Sequence, residues 1–496
     1  MRWPWSKRRR RIPIAADARP ARVYLRSPSG ARVAGKFDPA QTTANNRRHW
    51  ANADSLSALA AATPAVRKIL RERARYEVAN NSYARGIVLT LANDTIGTGP
   101  RLQMLTDDPE ANRRIEAEFS AWATAVDLAG KLRTMRMARA QDGEAFAVMI
   151  NNEGLASAIQ LDLRLIEADQ VASPNLMAIG TEAGKTDGIE LDAAGNPVAY
   201  LIRKAHPGSS TAGSTKYDRV PATSVIHWFR TDRPGQRRGL PDILPALELF
   251  AQLRRFTKAV LGSAETAASF SVLMKTTAPA GGEAAEVDPM TEMEIEPNTA
   301  LFVPEGWDPE QLKPEQPATT YEMFKREIIN EIARCLNIPY NVAAANSSAY
   351  NYASGRLDHQ TYFKSIRVEQ SHLEAVGLDR LLAAWLEEAA KVYALPAVAR
   401  VAAVPHQWMW EGHEHVDPIK EARAQAARLT AHTTTLATEY ARAGKDWETE
   451  LRQRAKEIRL MRELGLSLKE ASPAAAAGVV ADLEDRVEEI EDALSN

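Results

Sequence analysis

The sequence predicts an α+β protein, predominantly helical. Three observations predict it. Before Gly143 and after Pro241, apolar residues recur three and four apart, the period of a helix buried on one face. Between Gly143 and Phe229, short apolar and β-branched runs are separated by turn-forming Gly, Pro, Asn and Ser. Strands thus follow helices rather than alternating strictly with them. At 496 residues, 45% hydrophobic and 25% charged, the chain has ordinary globular composition and length enough for several domains.

The elements follow in order. Residues 1–50 are rich in Arg, Pro, Asn and Ser with little periodic apolar pattern, and read as a basic, largely disordered arm. From Leu56 a helical pattern presents Val66, Ile69, Leu70, Val78, Ile87 and Leu91 as its apolar residues. Asp108-Pro109 starts another helix, with Ile115, Phe119 and Trp122. "EAFAVMI", "AIQLDLRLI", "VAYLIR" and "VIHWF" are strand-like. A helix opens at "GLPDIL" with Pro241 in its first turn, and Ile243, Leu247, Phe250, Leu253, Phe256 and Val260 form one stripe. "SVLMK" and "TALFV" are strand candidates flanking a long Gly/Pro/Glu loop. Thr319 with Glu322 matches a capping box for a helix whose apolar face is Phe324, Ile328, Ile332 and Leu336, stopped by Pro339. A pattern over 353–392 would be about 60 Å long if unbroken at about 1.5 Å per residue; Gly377 is the expected interruption. A further helical stretch covers 417–465, and 471–496 form an acidic tail with Leu483, Val487, Ile490 and Leu494 at coiled-coil-like spacing.

Composition excludes several classes. A net charge of −2 argues against a protein that coats nucleic acid by bulk positive potential. With Cys335 alone, there is no intramolecular disulfide and no cysteine zinc cluster, and a small buried hydrophobe is its expected role. No apolar run approaches the ~18 residues of a membrane span. The cluster Lys7, Arg8, Arg9, Arg10 and Arg11 is followed by no apolar region, so it reads as a solvated arm, or one meeting phosphate or an acidic partner, rather than a secretory signal.

Catalytic motifs fail on spacing. "GTEAGKT" leaves three residues between Gly180 and Gly184, one short of a phosphate loop. His413 and His415 beside Glu411, Glu414 and Asp417, with His406 nearby, could be metal ligands but read as an ordinary polar loop, since no H-E-x-x-H helix is present. Asp142 and Glu144 read as a turn before a strand rather than an acid–base pair. Arg237, Arg238, Arg254 and Arg255 are candidate phosphate or intersubunit contacts against the alternative of a solvated face. No cofactor, metal or catalytic residue is expected. Residues 346–356, "NSSAYNYASGR", contain no aliphatic Leu, Ile, Val or Met and one charge, Arg356, yet sit between two helical patterns.

Four segments in order resemble one family, the lambda-type portal proteins of tailed phages. "VPATSVIHWFRTDRPGQRRGLPDILPAL" resembles that family's junction between wing and first long helix, with Pro221, His227, Arg233, Pro234, Gly235, Gln236, Arg238 and Gly239 in place. "DGIELDAAGNPVAYLI", "NNSYARGIVLTLANDTIGTGPRLQ" and residues 416–466 are similar to its hairpin, N-terminal helix and C-terminal segment. The usual Gly before the Thr-rich turn is absent in "LTAHTTT".

The resemblance implies a portal-type subunit: wing 51–240, first stem helix 241–270, clip 271–318, second stem helix 319–337, tunnel loop 338–352, a helix behind that loop and return to the wing 353–416, and crown 417–470. It implies a dodecameric ring at one capsid vertex of the virion, assembled in the bacterial cytoplasm, through which double-stranded DNA passes without sequence preference. Expected partners are the terminase large subunit, head-completion or connector proteins, and the major capsid or scaffold protein. Asn346, Ser347, Ser348, Tyr350, Asn351 and Tyr352 would line the channel. The alternatives are a capsid or scaffold protein with no channel, and a nucleic-acid motor, for which neither a phosphate loop nor metal-binding acids are found.

Overall fold

A computed structural model describes residues 48–174, 185–209, 216–268, 272–276, 307–311, 321–348, 350–393, 404–412 and 418–466. The chain divides into Met1–Ser57 and Ala58–Asn496. In the first unit the described residues form a turn closed by the Ala53 N–H on the Trp50 carbonyl. The rest of the fold lies in the second.

That unit begins with three helices, α1 (Ala58–Ala61), α2 (Pro64–Asn80) and α3 (Ser82–Ile96). Asn81 both ends α2 and caps α3, its side-chain oxygen accepting from the Tyr83 and Ala84 N–H groups. Strand β1 (Arg101–Met104) leads to α4 (Pro109–Ala125), capped by Asp108 as the Asp-Pro pair predicts, and α5 (Leu128–Asp142). Gly143 ends α5 with φ of 89°, a left-handed turn that favours glycine. Strands β2 (Glu144–Asn151) and β3 (Leu161–Ile166) follow, then β4 (Lys185–Thr186), β5 (Ile189–Leu191), β6 (Pro197–Arg203), β7 (Tyr217–Pro221) and β8 (Val225–Phe229). They form two antiparallel sheets, ordered β3-β2-β8 and β4-β5-β6-β7.

β2 is buried on both faces. Ala145 and Ala147 join a core with Phe119, Trp122, Trp228 and Trp385. Phe146 and Val148 point the other way, into a core with Ile189, Tyr200 and Ile202 between the sheets. Period two thus sorts one strand between two cores.

The long helices come next: α6 (Leu247–Ala268), then β9 (Val272–Thr276) paired antiparallel with β10 (Trp307–Gln311), then α7 (Tyr321–Arg334). Phe250 and Leu253 of α6 and Ile329 and Ile332 of α7 bury with α3 and α9 residues in a third core. α8 (Tyr340–Ala344) precedes α9 (Tyr352–Leu373), a π-helical turn at Glu374–Leu378, and α10 (Asp379–Val392). β11 (His406–Met409) returns to pair with β1, and α11 (Pro418–Thr430), α12 (Leu436–Arg442) and α13 (Trp447–Glu463) complete the described chain.

Several expectations are corrected. On α2, Val66 and Ile69 are exposed whereas Arg67, Arg71 and Glu77 are buried; Val78 alone of its called apolar residues is buried as the pattern expects. The helix expected to open at Pro241 begins at Leu247, because Leu244–Ala246 form a 3₁₀ turn first. The partner of "SVLMK" is Trp307–Gln311. α7 ends at Arg334, and Asn337 with φ of 54°, ahead of Pro339, turns the chain. Cys335 lies in that turn, half-buried against the third core. The helical stretch 417–465 consists of three helices. Gly377 does mark an irregularity, the π turn. The pairing of β1 with β11, hundreds of residues apart, was not anticipated. The arm over 1–47, "TALFV", Thr319, His413, His415 and the tail from 467 lie outside the described residues.

Candidate functional site: an uncharged loop and two buried charge networks

Between Arg334 and Arg356 the sequence has no Asp, Glu, Lys or Arg. This stretch supplies α8 and the loop before α9. Ala345 leaves α8 at φ of 50°, and the Asn346 N–H donates back to the Asn341 carbonyl at 3.0 Å. Asn346, Ser347 and Ser348 are exposed. The loop is nevertheless pinned. Asn346 Oδ1 accepts from the Ser348 N–H at 3.0 Å, and the Ser347 carbonyl from the Tyr350 N–H at 3.0 Å. Asn351 Oδ1 caps α9 by accepting from the Ser354 N–H at 2.8 Å. Asn341 Nδ2 meets His359 Nε2 at 2.9 Å, tying α8 to α9.

The predicted lining residues therefore divide. Asn346, Ser347 and Ser348 present polar groups outward. Asn351 is exposed, but its side-chain oxygen holds the helix end. Tyr350 is half-buried; burial first, and Asp358 second, push its hydroxyl above the ordinary range. Tyr352 is the first residue of α9.

Arg238 is not available to phosphate or to a neighbour. It is buried, and its guanidinium donates to Glu144 at 2.6 and 2.8 Å, to the Val171 carbonyl at 3.0 Å and to Asp187. Burial raises the Glu144 carboxyl, but Arg238 and His227 outweigh it and hold it well below the usual carboxylate range. Burial lowers the His227 imidazole, and Glu144 at 3.1 Å only partly offsets this. Arg67 on Asp187, Arg71 on Asp169 and Arg75 on Asp142 extend the network into α2. Burial, then Arg238, push Arg67 down to about 10, so it remains cationic at neutral pH. These carboxylates explain the inverted helix, since a buried arginine is tolerated only when paired.

A second network centres on Asp242, in the segment that precedes α6. Arg136 meets Glu369 at 2.7 Å and Asp242 at 3.2 Å; Arg139 and Arg230 also reach Asp242, at 3.5 and 3.2 Å. The segment 238–242 is thus fastened by Arg238 to the sheets and by Asp242 to Arg136 and Arg139 of α5, which also hold Glu369 of α9. Backbone approach tightens it further: a Cβ on Gly239 would fall 1.9 Å from the Gly143 carbonyl oxygen. The direction of α6 is set relative to both sheets and to the helix behind the loop.

Of the remaining arginines, Arg254 pairs with Glu77 at 2.8 Å and stacks over Tyr76, Arg237 borders a cleft of about 480 Å³ with Tyr200, His227 and Arg380, and Arg255 is exposed. Asp142 and Glu144 are held in ion pairs, which fits the turn reading. His406 is a strand residue bonded to the Val404 carbonyl and near Asp379, and Glu411 accepts from the Thr98 N–H. Among the described residues Glu167, Asp169 and His206 converge, but Arg75 already supplies a cation there, 2.7 Å from Asp169. Arg67, Arg71, Arg75, Arg136, Arg139 and Asp242 were missed from sequence; the i, i+4, i+8 row of arginines on α2 was the available signal.

The family's sequence model, described as "Phage portal protein, lambda family", matches residues 44–370. The chain belongs to the lambda family of phage portal proteins. The match contains three of the four segments that carried the resemblance, and the fourth, 416–466, lies beyond it. The "Probable portal protein" of Halomonas phage phiHAP-1 is 24% identical over 425 residues, covering 80% of this chain and 81% of that one. "Portal protein B" of Escherichia phage lambda is 22% identical over 456 residues, covering 78% and 83%. Among solved structures, a chain from the neck of an empty gene transfer agent particle, computed with C6 symmetry, has a TM-score of 0.46 at 14% identity, covering 75% of this chain and 92% of that one.

Proposed function

We propose that this portal protein forms a ring at one capsid vertex, through which double-stranded DNA is packaged and later ejected. In this reading the uncharged loop 345–351 faces the lumen. The 271–318 region meets the terminase large subunit and then the head-completion proteins, and the outer surface meets capsid or scaffold protein during assembly in the host cytoplasm. Family membership supports the role, and the loop is the observation that carries the mechanism.

A loop lining a DNA channel must be ordered enough to hold its place and must not grip the duplex. Each Lys or Arg placed on a phosphate adds about 0.9 to the salt slope of binding through counterion release. Repeated around a ring, such a residue becomes a belt of binding sites. The loop instead offers Ser hydroxyls and Asn side chains whose oxygens accept from the loop's own backbone, with contact area and little net attraction.

The test is packaging by rings carrying Ser347→Arg. Ser347 is exposed, so folding and ring assembly should persist, viewed by electron microscopy down the particle axis, while translocation slows or stalls and is partly relieved by added salt. Normal packaging at low salt by such rings refutes the lumen placement. Shells instead of rings from the wild-type protein refute the channel and return the capsid or scaffold reading.

A further inference from the structure

The cleft bordered by Arg237 carries charge of one sign. β5, β6 and β8 supply apolar walls through Ile189, Leu191, Tyr200 and Phe229, and the π turn adds Val376. Its cations are Arg237 and Arg380, and among the described residues no Asp or Glu lines it. Strand period is one reason. Ile189 and Leu191 face the cleft, so Glu190 between them faces away, where it holds Arg219 at 2.9 Å. Glu144, on the other side of the His227 ring, is fully buried.

Neither arginine has an acidic partner. Arg380 donates to the Val225, Ala222 and Thr223 carbonyls at 2.9, 2.5 and 3.0 Å, which fixes the guanidinium but leaves its charge unbalanced. Arg237 is half-buried and makes no hydrogen bond or ion pair among the described residues. Its Nη2 lies against the β5–β6 turn, 2.6 Å from where a Cβ on Gly195 would stand. The acids nearest in sequence are occupied: Asp192 by Asn196, Asp232 by Arg230, and Asp379 by Trp408 and His406. Two uncompensated guanidiniums between apolar walls call for carboxylates carried beside aliphatic side chains.

Residues 482–494, DLEDRVEEIEDAL, have that composition: seven acids against one Arg, interleaved with Leu483, Val487, Ile490 and Leu494. We infer that this acidic segment seats in the cleft of its own subunit, its carboxylates meeting Arg237 and Arg380 and its aliphatic side chains meeting Leu191, Phe229 and Val376. Chain length permits it. Glu374, two residues before Val376, accepts from Trp410 Nε1 at 2.6 Å, and the Trp410 carbonyl oxygen lies 2.5 Å from where a Cβ on Gly444 would stand. α13, which starts three residues later at Trp447, is therefore rooted within a few side chains of the cleft. That helix rises about 25 Å at about 1.5 Å per residue, and 467–481 can return about 50 Å at about 3.3 Å per residue. So short a tether holds the segment at an effective concentration of order mM, which favours its own subunit over a second copy. The seat concerns one subunit and does not depend on the ring.

Two measurements on the full chain test it. The first is amide exchange over 482–494 in the wild type and in Arg237→Glu. Arg237 holds nothing else in the fold, so the variant should fold normally, which circular dichroism checks. Exchange should be at least ~5-fold faster in the variant, because docking is what protects these amides. The second is crosslinking of Arg237→Cys with Glu488→Cys by a short bismaleimide. The natural Cys335 is half-buried, and burial pushes its thiol up to about 11, so it stays protonated and silent at neutral pH. A crosslink within one chain is expected, reduced at least ~5-fold in about 0.5 M salt, where surface charges are screened. Both results are required. Exchange unchanged by Arg237→Glu overturns the seat, whether the segment is unprotected or held elsewhere, and so does the absence of a salt-sensitive crosslink. A crosslink found only between two chains overturns the assignment in favour of a neighbouring copy's segment.

Discussion

Replacing Arg238 by Met removes the one cation bonded through two nitrogens to Glu144. The side chains are of comparable length, so the change is chiefly electrostatic. The variant leaves Glu144 buried, with only the His227 ring at 3.1 Å, the Gly239 N–H at 3.0 Å and Arg71 at 3.8 Å. It also strips donors from the Val171 and Ala168 carbonyls. Breaking a buried pair from one side costs about 3–5 kcal/mol. The sign with pH follows from Glu144, whose folded carboxyl is held well below its ordinary value. Its stabilisation is fully present above the unfolded pKa of about 4.3 and is lost as pH falls toward the depressed folded value, so the gap between wild type and variant should narrow in acid. Urea unfolding followed by tryptophan fluorescence measures both. Adding Glu144→Gln to the variant removes the stranded charge and should recover at least ~1 kcal/mol, a coupling expected of groups in contact. A loss below about 1 kcal/mol at pH 7, or a gap that widens in acid, refutes the account.

Three further outcomes are expected. On α2, Arg67→Ala should cost ~3 kcal/mol by taking from Asp187 its nearer cation and leaving it only Arg238 at 3.4 Å, while Ile69→Ser, on the exposed side, should change subunit stability by no more than ~0.5 kcal/mol, the reverse of what the apolar pattern suggests; thermal denaturation compares them. Glu116, pushed up to about 7 by burial, accepts from the Met104 N–H at 2.6 Å. Its folded pKa is raised, so stability is greatest below the unfolded value and falls as pH rises through 7. Glu116→Gln keeps the acceptor without the charge and should stabilise by up to ~1–2 kcal/mol at pH 8, after allowing for partial solvent screening, and by much less at pH 5. Asn351→Ala removes the α9 cap and should cost ~1 kcal/mol, read as faster amide exchange at Ser354 and the following turn.

Much of the architecture was legible because it depends on local period. Ile115, Phe119 and Trp122 are buried where a 3.6-residue repeat puts them, and β2 alternates between two cores as period two requires. The stripe Ile243, Leu247, Phe250 and Leu253 is buried, although the 3₁₀ turn around Pro245 delays the helix that carries it. The absence of charge between Arg334 and Arg356 is a property of the chain itself, and so is the family resemblance.

What depended on distant residues was not legible. α2 has an apolar row and an arginine row, and nothing within it says which faces inward. Asp187, Asp169 and Glu144, supplied from far along the chain, decide for the arginines. Arg238 and Arg255 both sit in Arg-Arg pairs, yet one is enclosed by a carboxylate and three carbonyls and the other is exposed. Sequence alone determined where most helices and the strands β2, β3, β6 and β8 lie and which loop lacks charge, because steric preference and side-chain period act between near neighbours. The tertiary structure alone decided which charges are buried in pairs and which remain outward for a partner, because the energy of a buried ion depends on what surrounds it in space.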